Sequence, residues 1–172
     1  TRMVKGGVPF GEALQEAQAK GYAEQNPAAD VEGLDAGRKI AILASLLTGR
    51  TVDSDKLSIE GITEITGADF AYAKAADRTI KLLAVCRIQE DRSVFARVAP
   101  FMLPKSHPLA GVNDVFNGIQ VTGNMLGDAL LCGQGAGKLP TASAVAADVV
   151  DCARNQGRTV MGSWAAEAAD LI

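Results

Sequence analysis

The spacing of the hydrophobic residues changes near residue 79, and this change restricts the folds that are open to the chain. Before it, apolar residues recur every three or four positions, which is typical of helices. Residues 10–17 predict an amphipathic surface helix that ends at Gly21. Residues 40–47 are apolar almost throughout, which predicts a buried helix that ends at Gly49.

After the change, apolar and polar residues alternate, which predicts β-strands. Residues 80–88 and 94–98 form the first predicted hairpin, and 115–122 and 125–132 form the second. The second has Gly123-Asn124 at its centre, which favours a two-residue turn. Three prolines are expected to break the chain after the first hairpin: Pro100, Pro104 and Pro108.

A last helix is predicted over residues 141–154, after the glycine-rich loop 133–137, whereas residues 155–172 give no clear pattern. Helices therefore come first along the chain and antiparallel hairpins follow. This order predicts an α+β fold, with helices packed on one face of a mainly antiparallel or mixed sheet.

The composition excludes several classes of protein. The 17 Lys and Arg against 20 Asp and Glu give a net charge of −3, without the basic excess of a nucleic-acid-binding surface. No apolar run approaches the ~18 residues of a membrane span. Cys86, Cys132 and Cys152 are odd in number and widely spaced, so we expect small core residues in a reducing cytoplasm and no metal site. The chain begins with Thr1 and not with a methionine, in what we interpret as the middle of a secondary-structure element. We therefore expect a fragment of a longer protein.

The segment 22–39 carries the strongest candidate site. Four carboxylates fall within twelve residues, which suits a cationic group such as an ammonium. Asp30 is placed to cap the following helix. Asp35 and Lys39 are one turn apart and share a helix face.

The apolar residues that follow Lys39 predict that it lies at the mouth of a buried helix. A lysine held between apolar surface and a carboxylate can donate a proton to a developing alkoxide. A surface ion pair worth ~0.2–0.5 kcal/mol beside a solvated acidic loop would show the same spacing. A lysine that forms a Schiff base is a further alternative.

The loop Gly133-x-Gly135-x-Gly137 matches neither GxGxxG nor the phosphate-binding GxxxxGK[ST]. It predicts a flexible turn that presents a helix N-terminus to a cofactor or a phosphate, or a plain strand-to-helix turn. His107 is the only histidine, so we expect it to have a structural role.

Taken together, these residues resemble the signature of the homoserine dehydrogenase family. The resemblance continues in residues 41–46, 103–109 and 135–145, and it covers roughly residues 1–155. The matching positions of the signature are Ala17, Gly21, Tyr22, Ala23, Asn26, Pro27, Asp30, Val31, Gly33, Asp35 and Lys39.

The resemblance implies an enzyme that interconverts L-homoserine and L-aspartate 4-semialdehyde with NADP or NAD, on the route to threonine, methionine and isoleucine. It implies that Lys39 is the proton donor and that Glu24 binds the amino end of the substrate. Asp30 and Asp35 would be further acidic partners, and Gly137 would lie against the cofactor.

The resemblance also implies a domain organisation. Residues 1–138 would be the catalytic and dimerisation domain, incomplete at its N-terminus, and 139–172 a helix and tail that pack towards a nucleotide-binding domain outside this chain. It implies a homodimer, and we expect the fragment alone to be inactive. A non-catalytic dimerisation module is the alternative.

Overall fold

A computed structural model describes residues 3, 6–21, 26–135, 137–158 and 164–172. The helices are α1 (Phe10–Ala19), α2 (Ala28–Val31), α3 (Leu34–Thr48), α4 (Gly67–Ala75) and α5 (Lys138–Arg154). The strands are β1 (Arg50–Thr51), β2 (Ser58–Ile59), β3 (Arg78–Ile88), β4 (Val94–Pro104), β5 (Phe116–Gly123), β6 (Gly127–Gln134) and β7 (Ala165–Ala168). Short 3₁₀ turns lie at Ser54–Lys56 and Pro108–Gly111. Within this described part of the chain, no helix combines the length and the apolar character that crossing a bilayer requires.

The strands form small sheets of both kinds, which agrees with the predicted α+β class. β4 lies between β2 and β3, and β2 runs parallel to it. β1 pairs with β7 in parallel, and β5 pairs with β6 antiparallel. The short connection between β3 and β4 makes them the predicted hairpin, since parallel neighbours need a long crossover.

The described residues divide into two compact units, each built from separate parts of the chain. The hairpin unit takes the described residues of Thr1–Gln25, Gly67–Thr79 and Leu103–Val160. The lysine unit, which contains Lys39, takes those of Asn26–Thr66, Ile80–Met102 and Met161–Ile172. The predicted boundary near residue 138 refers to a nucleotide-binding domain outside this chain, and it stays a prediction.

The core of the lysine unit lies between α3 and β4. Ala41 and Ala44 of α3 meet Val94 and Ala96 of β4 there, and Val94 is fully buried. Because the helix contributes small side chains, its backbone lies close to the strand. The core is completed by Val52 and Ala169, with Leu57, Cys86 and Leu171 packed against it.

Helix α3 is buried on one face only, so the prediction of a buried helix is wrong for this chain. Its buried residues are Gly37, Ala41, Ala44 and Ser45. The other sides of the helix carry apolar residues that are open to solvent, with Ile42 51% exposed and Leu47 63% exposed. A helix that is apolar all round is buried only if other residues pack against every side of it. Within the described part of the chain, the lysine unit packs against one side of α3.

The ends of α3 follow backbone conformation. Gly49 ends the helix as predicted, with a φ of 70°. At the other end the cap is Gly33, with a φ of 82°, and not Asp30, which lies inside α2. Glycine adopts this left-handed conformation without the steric cost that a Cβ brings.

Strand β4 runs through Pro100 and ends at Pro104, so the predicted break after residue 98 is wrong; Pro108 does begin a 3₁₀ turn. The Val98 carbonyl accepts a hydrogen bond from the Glu60 amide on the β2 side. Position 100 faces the same side, because strand residues alternate. β2 pairs only with Arg97 and Val98, so the missing N–H of Pro100 leaves no ladder bond unmade.

The turn of the second hairpin has three residues rather than the predicted two. Gly123 pairs with Gly127, so residues 124–126 form the loop. Gly127, the first residue after the loop, has a φ of 70°, a left-handed conformation that glycine adopts without the steric cost of a Cβ.

β7 lies within residues 155–172, where the pattern of residues indicated no element. The Ala165 amide donates to the Gly49 carbonyl at 2.8 Å, and the Ala169 amide donates to the Thr51 carbonyl at 2.8 Å. Val94 then bonds the last residues, since its amide donates to the Asp170 carbonyl at 2.7 Å. The end of the described chain is therefore part of the lysine unit.

Candidate active site

The predicted pair of Asp35 and Lys39 forms at the start of α3. Lys39 Nζ lies 2.7 Å from Asp35 Oδ2. The Lys39 side chain is 66% exposed and that of Asp35 is 46% exposed, so the expectation of a lysine sheltered at a helix mouth is wrong for the chain by itself. The pair stands on the surface that the lysine unit leaves open.

A turn leads from α2 into α3, which carries this pair. The Asn26 side chain accepts a hydrogen bond from the Ala28 amide at 3.3 Å, which begins α2. One turn later the Gly33 amide donates to the Asp30 carbonyl at 3.3 Å, and the chain enters α3. Asp30 thus contributes a backbone acceptor here, while its carboxylate is exposed in α2. Glu24, the predicted ligand of the substrate's amino group, lies outside the described residues.

Gly137 is the N-cap of α5, in the hairpin unit. Its φ is 120°, and an added Cβ would first meet Pro140 Cδ, 3.5 Å away. The position is therefore open in space and closed to other residue types by its backbone. In the first helical turn the amides of Lys138 and Leu139 have no helical acceptor, while Pro140 has no N–H, and the exposed Lys138 adds a positive charge beside them. This arrangement fits an anionic cofactor.

The loop predicted around Gly137 is shorter than expected. Gly133 and Gln134 belong to β6, and Ala136 lies outside the described residues. Gly135 is packed beneath the Asn117 side chain, which occupies the place that a Cβ would take. This close approach requires a glycine at position 135. From the sequence alone, such a glycine looks the same as one that makes a loop flexible.

His107 has the structural role that we predicted. Its Nδ1 accepts a hydrogen bond from the Leu109 amide at 3.2 Å and so caps the 3₁₀ turn. In the described parts of the chain, His, Cys, Asp and Glu side chains do not gather in a group of three that could hold a metal.

The cysteines divide into two kinds. Cys86 is half-buried against the core of the lysine unit, and burial raises the pKa of its thiol. Cys132 and Cys152 are exposed, so the prediction of core cysteines is wrong for these two. Both lie in the hairpin unit. The hydrophobic character of a cysteine does not by itself determine whether the residue is buried.

One carboxylate outside the candidate site has a shifted pKa. A hydrogen bond from the Ser93 hydroxyl at 2.6 Å, and a second from the Ser93 amide at 2.9 Å, lower the pKa of the Asp91 carboxyl. Both bonds close the turn between β3 and β4, so this shift reflects a structural role.

Comparison with protein families decides what kind of chain this is. The family model of homoserine dehydrogenase matches residues 1–150. The chain belongs to the homoserine dehydrogenase family. This confirms the resemblance on which the site residues were chosen.

Relatives and solved structures agree with the family. The homoserine dehydrogenase of Mycobacterium tuberculosis H37Rv is 50% identical over 161 residues, which are 91% of this chain and 36% of that protein. That of Synechocystis is 47% identical over 154 residues, or 88% of this chain and 36% of that protein. The chain thus spans about a third of the length of the relatives it matches.

Among solved structures, a homoserine dehydrogenase from Thiobacillus denitrificans matches with a TM-score of 0.88 and 34% identity, over 99% of this chain and 41% of that one. The Staphylococcus aureus homoserine dehydrogenase at pH 7.5 matches with a TM-score of 0.81 and 37% identity, over 92% of this chain and 39% of that one.

Proposed function

We propose that this chain supplies the substrate-binding and proton-donating part of a homoserine dehydrogenase that uses NADP or NAD. The reaction is the interconversion of L-homoserine and L-aspartate 4-semialdehyde, in the biosynthesis of threonine, methionine and isoleucine. The observation that carries the proposal is the ion pair of Lys39 and Asp35, found at the start of α3 in a chain of this family.

The proposed role of Lys39 is to supply the proton. When the cofactor is bound, it supplies a hydride to the carbonyl carbon of the semialdehyde, or accepts one from homoserine. As negative charge develops on the substrate oxygen, Lys39 Nζ donates a proton to it. In the oxidation, the neutral amine takes the hydroxyl proton back. The Asp35 carboxylate, 2.7 Å away, holds Nζ in one direction.

The acidic residues would bind the substrate's ammonium group, and the start of α5 would bind the cofactor. We assign the ammonium to Glu24 and Asp30, with Asp35 shared between substrate and lysine. Gly137 and the first-turn amides of α5 would face the cofactor, whose pyrophosphate is anionic. We further propose that the full-length protein is a cytoplasmic homodimer. In it, parts of the protein outside this chain would pack against the exposed face of α3.

The test is Lys39→Ala in a full-length homoserine dehydrogenase that carries this segment. We expect turnover to fall by ~100-fold or more, the scale of positioned acid catalysis, with the fold retained. Lys56→Ala is a matched control, because Lys56 is equally exposed and pairs with Asp53 at 4.0 Å. Near-normal turnover in Lys39→Ala would remove the lysine from the mechanism.

Two further measurements separate the alternatives. Borohydride trapping of the protein with a carbonyl substrate would reveal a Schiff base on Lys39. A full-length protein that folds and dimerises without NADPH-dependent turnover would indicate a non-catalytic dimerisation module.

Glu24→Gln tests the assignment of the substrate. We expect the KM for homoserine to rise more than the KM for the cofactor, because the substrate brings an ammonium and the cofactor a pyrophosphate. Glu64→Gln, at another exposed carboxylate, is the control. Equal increases in both constants would show that Glu24 supports the loop and does not bind the substrate.

A further inference from the structure

The side chain of Ile59 lies between β2 and the first turns of α3. At Gly37 an added Cβ would stand 2.5 Å from Ile59 Cδ1, closer than carbon atoms approach. At Gly33 an added Cβ would stand 3.3 Å from Ile59 Cγ2 and 3.1 Å from Val98 Cγ1. The helix therefore approaches the strand as closely as the absence of side chains at these glycines allows.

This contact lies on the side of α3 directly opposite the ion pair. At about 100° per residue, Asp35 and Lys39 lie about 160° to either side of Gly37 around the helix axis. Any movement of the helix away from Ile59 therefore pushes the pair outwards by a similar distance.

The strand side of the contact is held in place. Ile59 pairs with Val98 in the parallel ladder of β2 and β4. The Glu60 amide donates to the Val98 carbonyl at 2.8 Å, and Glu60 forms an ion pair with Arg97 at 2.9 Å. Cδ1 is the end of the Ile59 side chain and can rotate, whereas Cγ1, 3.4 Å from the added Cβ at position 37, and Cγ2, beside Gly33, stay in place. A larger residue at position 37 is therefore accommodated by rotation of Cδ1 together with movement of α3.

We propose that Gly37 and Ile59 are positioning residues for Lys39. Their contact sets how far α3 lies from β2, and hence where Nζ meets the substrate oxygen. The inference rests on the proposed role of Lys39 as proton donor. Gly37 is not among the signature positions that match the family, so local sequence reasoning does not single it out.

The experiment compares Gly37→Ala, Ile59→Val and the double variant in a full-length homoserine dehydrogenase that carries this segment. Ile59→Val removes Cδ1, the atom that an alanine at position 37 would strike. Gly11→Ala in α1 is the matched control, because among the described residues no atom beyond its chain neighbours and its own helix backbone lies within 4 Å of its added Cβ. The readouts are thermal unfolding, kcat, the KM of the cofactor and the solvent deuterium isotope effect on kcat.

In Gly37→Ala we expect kcat to fall by about tenfold. A 1 Å misplacement can cost ~100-fold, and the flexible lysine side chain recovers part of it. The solvent isotope effect should rise, because proton transfer becomes more rate-limiting, and the KM of the cofactor should not change. A purely structural role would lower the fraction of folded enzyme and leave the isotope effect unmoved. The double variant should return both kcat and the isotope effect close to wild type.

Several outcomes overturn the inference. A folded Gly37→Ala with wild-type kcat and isotope effect does so, and so does a folded double variant without recovery. If Gly37→Ala does not fold, Ile59→Ala replaces it, since it removes the contact from the other side; an unchanged kcat there has the same meaning. A wild-type protein without turnover overturns the proposed function itself. A failure of the positioning inference is distinguishable from this, because there the wild type is active and only the results of the variants differ from those expected.

Discussion

Ser45 connects α3 to the chain that follows β1 through buried hydrogen bonds, and its removal should lower the stability of the lysine unit. The residue is 2% exposed. Its Oγ donates to the Ala41 carbonyl at 2.7 Å and accepts from the Val52 amide at 2.9 Å. Val52 is itself buried in the core. In Ser45→Ala, the Val52 amide keeps its burial and loses its acceptor.

The magnitude follows from two opposing terms. A buried donor without an acceptor costs about 1–3 kcal/mol. Alanine is a better helix former than serine and returns about 0.5 kcal/mol. We therefore expect the free energy of unfolding to fall by about 0.5–2.5 kcal/mol. For a chain of this size, that loss lowers Tm by about 1–10 °C.

The assay is urea denaturation of the 172-residue chain, followed by circular dichroism and by fluorescence of Trp164, the only tryptophan. Trp164 lines the same shallow groove as Ser45, so it reports on this region. Ser143→Ala in α5 is the matched control, because it makes the same change in an exposed helical position. Unchanged stability in Ser45→Ala, or an equal loss in Ser143→Ala, would refute the reasoning.

Two other predictions concern exposure. Every residue of Lys138–Arg154 is at least partly exposed, so its amides should exchange with deuterium faster than those of β4; equal protection in a demonstrated monomer would contradict this. Cys132 and Cys152 are exposed, whereas burial raises the pKa of Cys86 and leaves less thiolate at a given pH. Iodoacetamide should therefore modify Cys132 and Cys152 faster than Cys86, as measured by peptide mass spectrometry. The rate for Cys86 should approach theirs as the pH rises. Equal rates at all three cysteines would be inconsistent with the structure.

The sequence predicted the elements well where local chemistry determines them. Gly21 and Gly49 mark helix ends because glycine adopts the left-handed conformation there. The alternation of residues 80–88 and 94–98 located the first hairpin. The Asp35–Lys39 pair followed from a spacing of one helical turn.

Other features depend on partners that local patterns do not contain. The apolar run 40–47 predicts that α3 is buried, but it does not identify the residues that would bury it. The sequence therefore predicts a less exposed Lys39 than the structure shows. β7 reads Ala-Ala-Glu-Ala, without alternation, and its partner lies far away in the sequence. Gly37 looks like an ordinary weak helix former until the position of Ile59 is known.

The pairing of β7 with β1 has a consequence for how this chain acquires its structure during synthesis. The Thr51 hydroxyl bonds the Ala165 carbonyl across 114 positions of sequence, and Ala169 and Leu171 complete the same core. A ribosome that has already released α3 and β1 must still translate more than a hundred codons before their last partner emerges. Such long-range closure slows folding. Until then Ala41, Ala44 and Val52 lack the cover that Ala169 and Leu171 give them, and a stop codon before residue 165 would leave this part of the core exposed to solvent and to chaperones.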